Sequence, residues 1–123
     1  LSALTRTAAV VGASGVVLGA FGAHALKARL APEALEIYRT GVLYHLLHAV
    51  ALLAIAALGR ELRRPGLTAA LFAGGVAVFS GSLYLLAVTG QRWLGAVTPL
   101  GGAALIAGWL SLLLGRGSPR TPS

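Results

Sequence analysis

Four long apolar runs, separated by short polar links, set the pattern of this chain. Residues 7–26, 40–59, 65–91 and 93–115 contain no Lys, Arg, Asp or Glu. A stretch of about 18 or more such residues is the mark of a transmembrane helix, since each residue advances about 1.5 Å across a hydrocarbon core of about 30 Å. The runs show none of the in/out alternation that a membrane strand requires, so a barrel is excluded. The pattern predicts an all-α membrane protein with four transmembrane helices, at about 7–26, 40–59, 66–90 and 94–115. Short links make sequential helices antiparallel neighbours in a bundle. Residues 1–116 form a single domain in this reading. Residues 117–123, rich in Ser, Pro and Thr, are expected to be a disordered tail.

The link before the second run has a pattern of its own. Pro32 suits the first position of a helix, where its missing N–H costs nothing. Glu33 and Glu36 follow, and an acid is favoured in the first turn by the helix dipole. Leu35, Tyr38 and Val42 share a face, with Glu36 and Arg39 turned away. This predicts a short amphipathic interfacial helix between helices 1 and 2, running into helix 2 near Gly41.

Composition agrees. Hydrophobic residues make up 57% of the 123 and charged residues 11%, with a mean hydropathy of +0.84, too little polar material to cover a soluble domain. The first run exceeds the 7–15 apolar residues of a secretory signal and is read as a retained helix. The net charge is +7, but the basic residues stand one to three at a time between apolar runs. That distribution speaks for membrane topology and lipid headgroups as partners, not nucleic acid. Arg6, Arg60, Arg63, Arg64, Arg116 and Arg120 fall on one side of the membrane and Lys27, Arg29, Arg39 and Arg92 on the other. The six-to-four bias predicts both termini in the cytoplasm. Cysteine is absent, which removes disulfides and thiol chemistry.

Three helices carry small residues at alternating spacings of three and four. They are Ala8, Gly12, Gly15, Gly19 and Gly22 in helix 1, Ala70, Gly74, Ala77 and Gly81 in helix 3, and Gly101, Ala104, Gly108, Ser111 and Gly115 in helix 4. Lipid offers no hydrophobic drive between helices, so close backbone approach holds them together, and small residues permit it. The stripes are predicted packing faces. Bundles packed in this way leave no evident water path. The spans also lack the mid-membrane charges common in pumps and carriers.

Candidate chemistry is confined to His24, Tyr44, His45, His48, Ser80, Ser82, Tyr84 and Thr98, which the predicted topology gathers in the outer half of the membrane. His45 and His48 share a face of helix 2 with Gly41. Two His at that spacing, with His24 as a third, make a candidate metal set. The preferred reading is one interhelical hydrogen bond per imidazole, and no cofactor is expected. The ring of Tyr84 ends the stripe of helix 3, and its hydroxyl calls for a partner, His48 on the facing helix. Ser80 and Ser82 are expected to bond to carbonyls of their own helix. Thr98-Pro99 is read as the first turn of helix 4, with a pocket-lining kink as the alternative. No acid/base pair, nucleophile–base pair or phosphate loop is visible, so no enzyme is predicted.

Several of these segments together resemble a known family. Gly19-Ala20-Phe21-Gly22-Ala23-His24, Thr40-Gly41-Val42 with Tyr44 and His48, Phe79-Ser80-Gly81-Ser82-Leu83-Tyr84, and Thr98-Pro99-Leu100-Gly101-Gly102 through Gly108-Trp109 are similar to the pattern of the family called domain of unknown function 423, whose eukaryotic relative is transmembrane protein 256. The resemblance extends from about Ala8 to Leu114. It implies a four-helix inner-membrane protein without established activity. It also implies frequent glutamine at position 45, which leaves His24 and His48 as the family-matched pair.

The leading reading is a non-enzymatic membrane protein that packs with itself, with a larger partner or with lipid, as a homo-oligomer or around an amphiphile held in the polar cluster. An oligomeric transport or channel component is the runner-up, and a metal- or haem-binding membrane protein the third.

Overall fold

A computed structural model describes residues 1–114. The expected tail, 117–123, and the end of helix 4 at Gly115 lie outside the described residues. Four helices are long and apolar enough to cross a membrane. The first, α1, spans Ala3–Phe21 and continues as a π-helical turn, Gly22–Leu26. It starts four residues before the apolar run because Ser2 Oγ caps it, accepting from the Thr5 N–H at 3.1 Å.

Pro32 opens α2, Pro32–Leu58, at its first turn. Residues 32–40, expected as a short amphipathic interfacial helix running into helix 2 near Gly41, are the first turns of that one continuous helix. Leu35 and Tyr38 are buried there, in a cluster with Leu26 of the π-turn and Ala87. The apolar face that suggested an interfacial helix is used for packing instead. A 3₁₀ turn, Gly59–Glu61, leads to α3, Pro65–Thr89. Gly90 ends α3 with φ +72°, the left-handed conformation open to a residue without Cβ, and its N–H closes on the Leu86 carbonyl at 2.8 Å. After three intervening residues α4 begins, Leu94–Ser111, followed by a 3₁₀ turn, Leu112–Leu114. Pro99 lies inside α4, five residues past its start, which corrects the placement of Thr98-Pro99 in the first turn.

Sequential helices pack as neighbours: α2 lies between α1 and α3, α4 packs along α3, and α1 touches α3 lightly. One apolar cluster, toward the end of the bundle that holds the α2–α3 link, joins Ala8, Leu52, Ile55, Ala69, Phe72, Val76 and Leu105.

Glycine sets the approach of α1 to α2. A Cβ on Gly12 would meet Ala49 at 3.7 Å, on Gly15 it would press on Leu46 at 2.7 Å and His45 at 3.1 Å, on Gly19 it would meet Val42 at 3.2 Å, and on Gly22 it would enter the Tyr38 ring. The α4 stripe does the same to α3. Gly101 lies against the backbone of Phe79, and a Cβ on Gly108 would come within 2.6 Å of the Phe72 ring. Helix 3 departs from expectation. Gly74 and Gly81 have nothing within 4 Å of an added Cβ, and the glycine of α3 that packs is Gly75, 2.7 Å from Leu105 by the same measure. The faces of α3 toward α2 and α4 are set by Thr68, Phe72, Val76 and Ser80, so the Ala70–Gly74–Ala77–Gly81 stripe is left outside.

Candidate functional site

The polar centre of the molecule is built on one face of α2. Leu35, Tyr38, Gly41, His45, His48, Leu52 and Ile55 recur at spacings of three and four and are all buried. Such a ladder keeps one side of a helix toward its neighbours. The two histidines on it turn to different neighbours.

His45 faces α1 and α3. Its Nδ1 is 2.8 Å from the Tyr84 hydroxyl and its Nε2 is 3.0 Å from Ser14 Oγ. Ser14 Oγ donates to the Val11 carbonyl at 3.0 Å, which leaves its oxygen to accept. One assignment satisfies every group: Tyr84 O–H donates to Nδ1, Nε2–H donates to Ser14, and Ser14 donates to Val11. Gly41 makes the room, since a Cβ there would lie 2.7 Å from the Tyr84 ring. Ser80 Oγ donates to the Gly41 carbonyl at 2.7 Å. The Tyr84 ring also packs on Tyr38 with centroids 4.9 Å apart, and Tyr38 O–H donates to the Leu18 carbonyl at 2.6 Å.

His48 faces α4. The indole N–H of Trp109 donates to His48 Nε2 at 3.0 Å, and His48 Nδ1 is 2.8 Å from the Tyr44 carbonyl. An Nε2 that accepts carries no proton, so Nδ1 carries it and donates to the carbonyl. His48 is therefore the neutral Nδ1–H tautomer. Phe72 meets its ring edge-on with centroids 5.3 Å apart and also packs on Trp109 at 4.9 Å.

Tyr44 leans on Phe79, centroids 4.6 Å apart. Ser82 Oγ and Thr98 Oγ1 are 2.6 Å apart across α3 and α4, so that one hydroxyl donates to the other, which in turn donates to a carbonyl of its own helix. At the other end of the same pair Thr68 Oγ1 and Ser111 Oγ meet at 2.5 Å.

The structure thus joins Tyr84 to His45, where the sequence pointed to His48. His24 stands apart, exposed on the π-turn and in none of these bonds. Its direction follows from sitting two residues beyond Gly22, about 200° around the helix from the packed stripe. Depth differs as well. His45 is the middle residue of α2, and Ser14 lies near the middle of the span Ala3–Leu26. Tyr84, Ser82 and Thr98 lie nearer to the end of the bundle that holds the α3–α4 turn. The candidate residues read from the sequence did not include Ser14, Tyr38, Trp109, Thr68 or Ser111. Tyr38 was legible, being on the same three-four ladder as His45. Trp109 was legible as a donor next to packed Gly108.

A protein family of unknown function, DUF423, matches residues 18–102. Among curated relatives, UPF0382 membrane protein YwdK of Bacillus subtilis is 45% identical, the match covering 80% of this chain and 83% of the relative. UPF0382 membrane protein SSP2132 of Staphylococcus saprophyticus is 41% identical, over 79% and 82% of the two chains. UPF0382 inner membrane protein YgdD of Escherichia coli is 39% identical, over 88% and 84%. No solved structure matches the chain.

Proposed function

Since the chain belongs to the DUF423 family of multi-pass membrane proteins of unknown function, we propose that it is a non-enzymatic packing and assembly protein of the bacterial cytoplasmic membrane. One observation carries this reading: both ring nitrogens of His45 and of His48 are committed to partners within the protein. An imidazole binds metal through an unprotonated ring nitrogen. Here each such nitrogen already accepts from Tyr84 or Trp109. Among the described residues no buried side-chain N or O atom lacks a hydrogen-bond partner. The polar groups are spent on joining helices, and that disfavours a metal, a haem or an amphiphile at this centre.

Assembly is the second half of the reading. The small-residue face of α3 at Gly74 and Gly81 is not covered by any of the described residues, and such faces permit close helix approach in lipid. A second copy of the chain is the proposed partner. The cytoplasmic placement of both termini rests on the cation bias, and the choice of the inner membrane draws on the name of the Escherichia coli relative.

Purified protein in detergent tests the proposal through its visible spectrum, metal analysis and native mass spectrometry. The expected result is no absorbing cofactor, no stoichiometric metal and a self-associated species that Gly74→Leu reduces to monomer. Stoichiometric metal lost in His48→Ala, or a co-purifying small molecule lost in His45→Ala, overturns it.

A further inference from the structure

The link from α2 to α3 places Arg60, Arg63 and Arg64 within five residues, with Glu61 as the single acid among them. All three arginines are exposed. Among the described residues, Arg63, Arg64 and Leu114 of the 3₁₀ turn after α4 line an open hollow. Two of the apolar spans meet here: Pro32–Glu61 ends and Pro65–Thr89 begins. A hollow at that depth opens where lipid phosphates lie.

We propose that this hollow is a binding site for a phosphate group, supplied in the membrane by an anionic phospholipid. The chemistry fits at each wall. A guanidinium offers its N–H donors in a planar fork that matches two phosphate oxygens, and two consecutive arginines bring two such forks. Leu114 supplies the apolar side that the glycerol and upper acyl chain of a lipid require. The Arg64 backbone carbonyl accepts from Thr68, and among the described residues neither guanidinium takes part in a hydrogen bond. The cations at the opposite end differ in arrangement. Lys27, Arg29, Arg39 and Arg92 are spread over the first link, α2 and the α3–α4 turn, with Glu33 and Glu36 between them.

The test is native mass spectrometry of the full chain in detergent with added phosphatidylglycerol, phosphatidylcholine of the same acyl chains, or inorganic phosphate. Phosphatidylglycerol is expected to bind at lower concentration than phosphatidylcholine. The double variant Arg63→Gln/Arg64→Gln should lose that preference, each arginine near an anionic headgroup contributing roughly five-fold. Arg92→Gln, at the other end, should keep it. Should the double variant fail to fold, Leu114→Glu places a carboxylate in the hollow and should bring the same loss. Displacement of the lipid by millimolar inorganic phosphate identifies a general phosphate site, and resistance to displacement identifies the lipid as its source. Equal binding of the two lipids, or a preference unchanged in both the double variant and Leu114→Glu, overturns the proposal.

Discussion

The Tyr84 hydroxyl meets Nδ1 of His45 at 2.8 Å, while His48, one turn further along α2, bonds to Trp109. The two imidazoles therefore divide the bundle between them. His45 ties α2 to α1 and α3, and His48 ties it to α4.

That division predicts a coupling pattern. A membrane hydrogen bond contributes about 0.6 kcal/mol on average and up to about 1.7 kcal/mol. His45→Ala removes one partner each from Ser14 and Tyr84 and should cost about 1–3 kcal/mol, the range for leaving buried polar groups unpaired. His45→Gln, which keeps a donor and an acceptor, should recover part of it. In a double-mutant cycle measured by unfolding in detergent, His45→Ala and Tyr84→Phe should be non-additive, and His48→Ala and Tyr84→Phe additive. Additivity in both cycles would remove the His45–Tyr84 bond from the account.

Trp109→Phe keeps a ring against Phe72 and removes the donor to His48 Nε2. The expected cost is about 0.6–1.7 kcal/mol, and it should shrink when Trp109→Phe is made in the His48→Ala background, where the acceptor is gone. Trp93 is 64% exposed and makes no such bond, so Trp93→Phe should leave detergent stability unchanged. Equal effects of the two tryptophan substitutions on the unfolding midpoint would contradict the assigned geometry.

The glycines should fall into two classes. Gly15→Leu forces Leu46 and His45 aside, and Gly101→Ala meets the backbone of Phe79. Overpacking of this kind costs about 1–3 kcal/mol, and both variants should lower the thermal midpoint. Gly74→Ala and Gly81→Ala enter open space. Alanine is favoured over glycine within a helix by up to about 1 kcal/mol, so these two should be neutral or stabilising for the monomer fold. A loss at Gly74 matching that at Gly101 would refute the rotation of α3.

Orientation is measurable because the chain has no native cysteine. Ala28→Cys and Gly66→Cys put single thiols at exposed positions at opposite ends of the bundle. With both termini cytoplasmic, an impermeant thiol reagent applied to intact cells should label position 28 and spare position 66. The reverse pattern would invert the topology and place the Arg63–Arg64 hollow at the outer leaflet.

Helix number and neighbour order were legible in the sequence because they depend on one dimension. The bilayer core is uniformly apolar, so the four uncharged runs had to become helices that satisfy their own backbone. Links as short as the one from Gly90 to Trp93 had to make adjacent helices antiparallel. Rotation about each helix axis was beyond one dimension, and tertiary packing decided it. Each residue turns the face by about 100°, and lipid is as apolar as the side chains, so no hydrophobic gradient picks the buried side. The stripes of α1 and α4 and that of α3 look alike in the sequence, yet Gly15 and Gly101 meet a neighbour and Gly74 does not. Tyr84 similarly had two imidazoles on one face of α2 within reach by spacing. The notch at Gly41 brought its ring to His45, and the indole of Trp109 took His48.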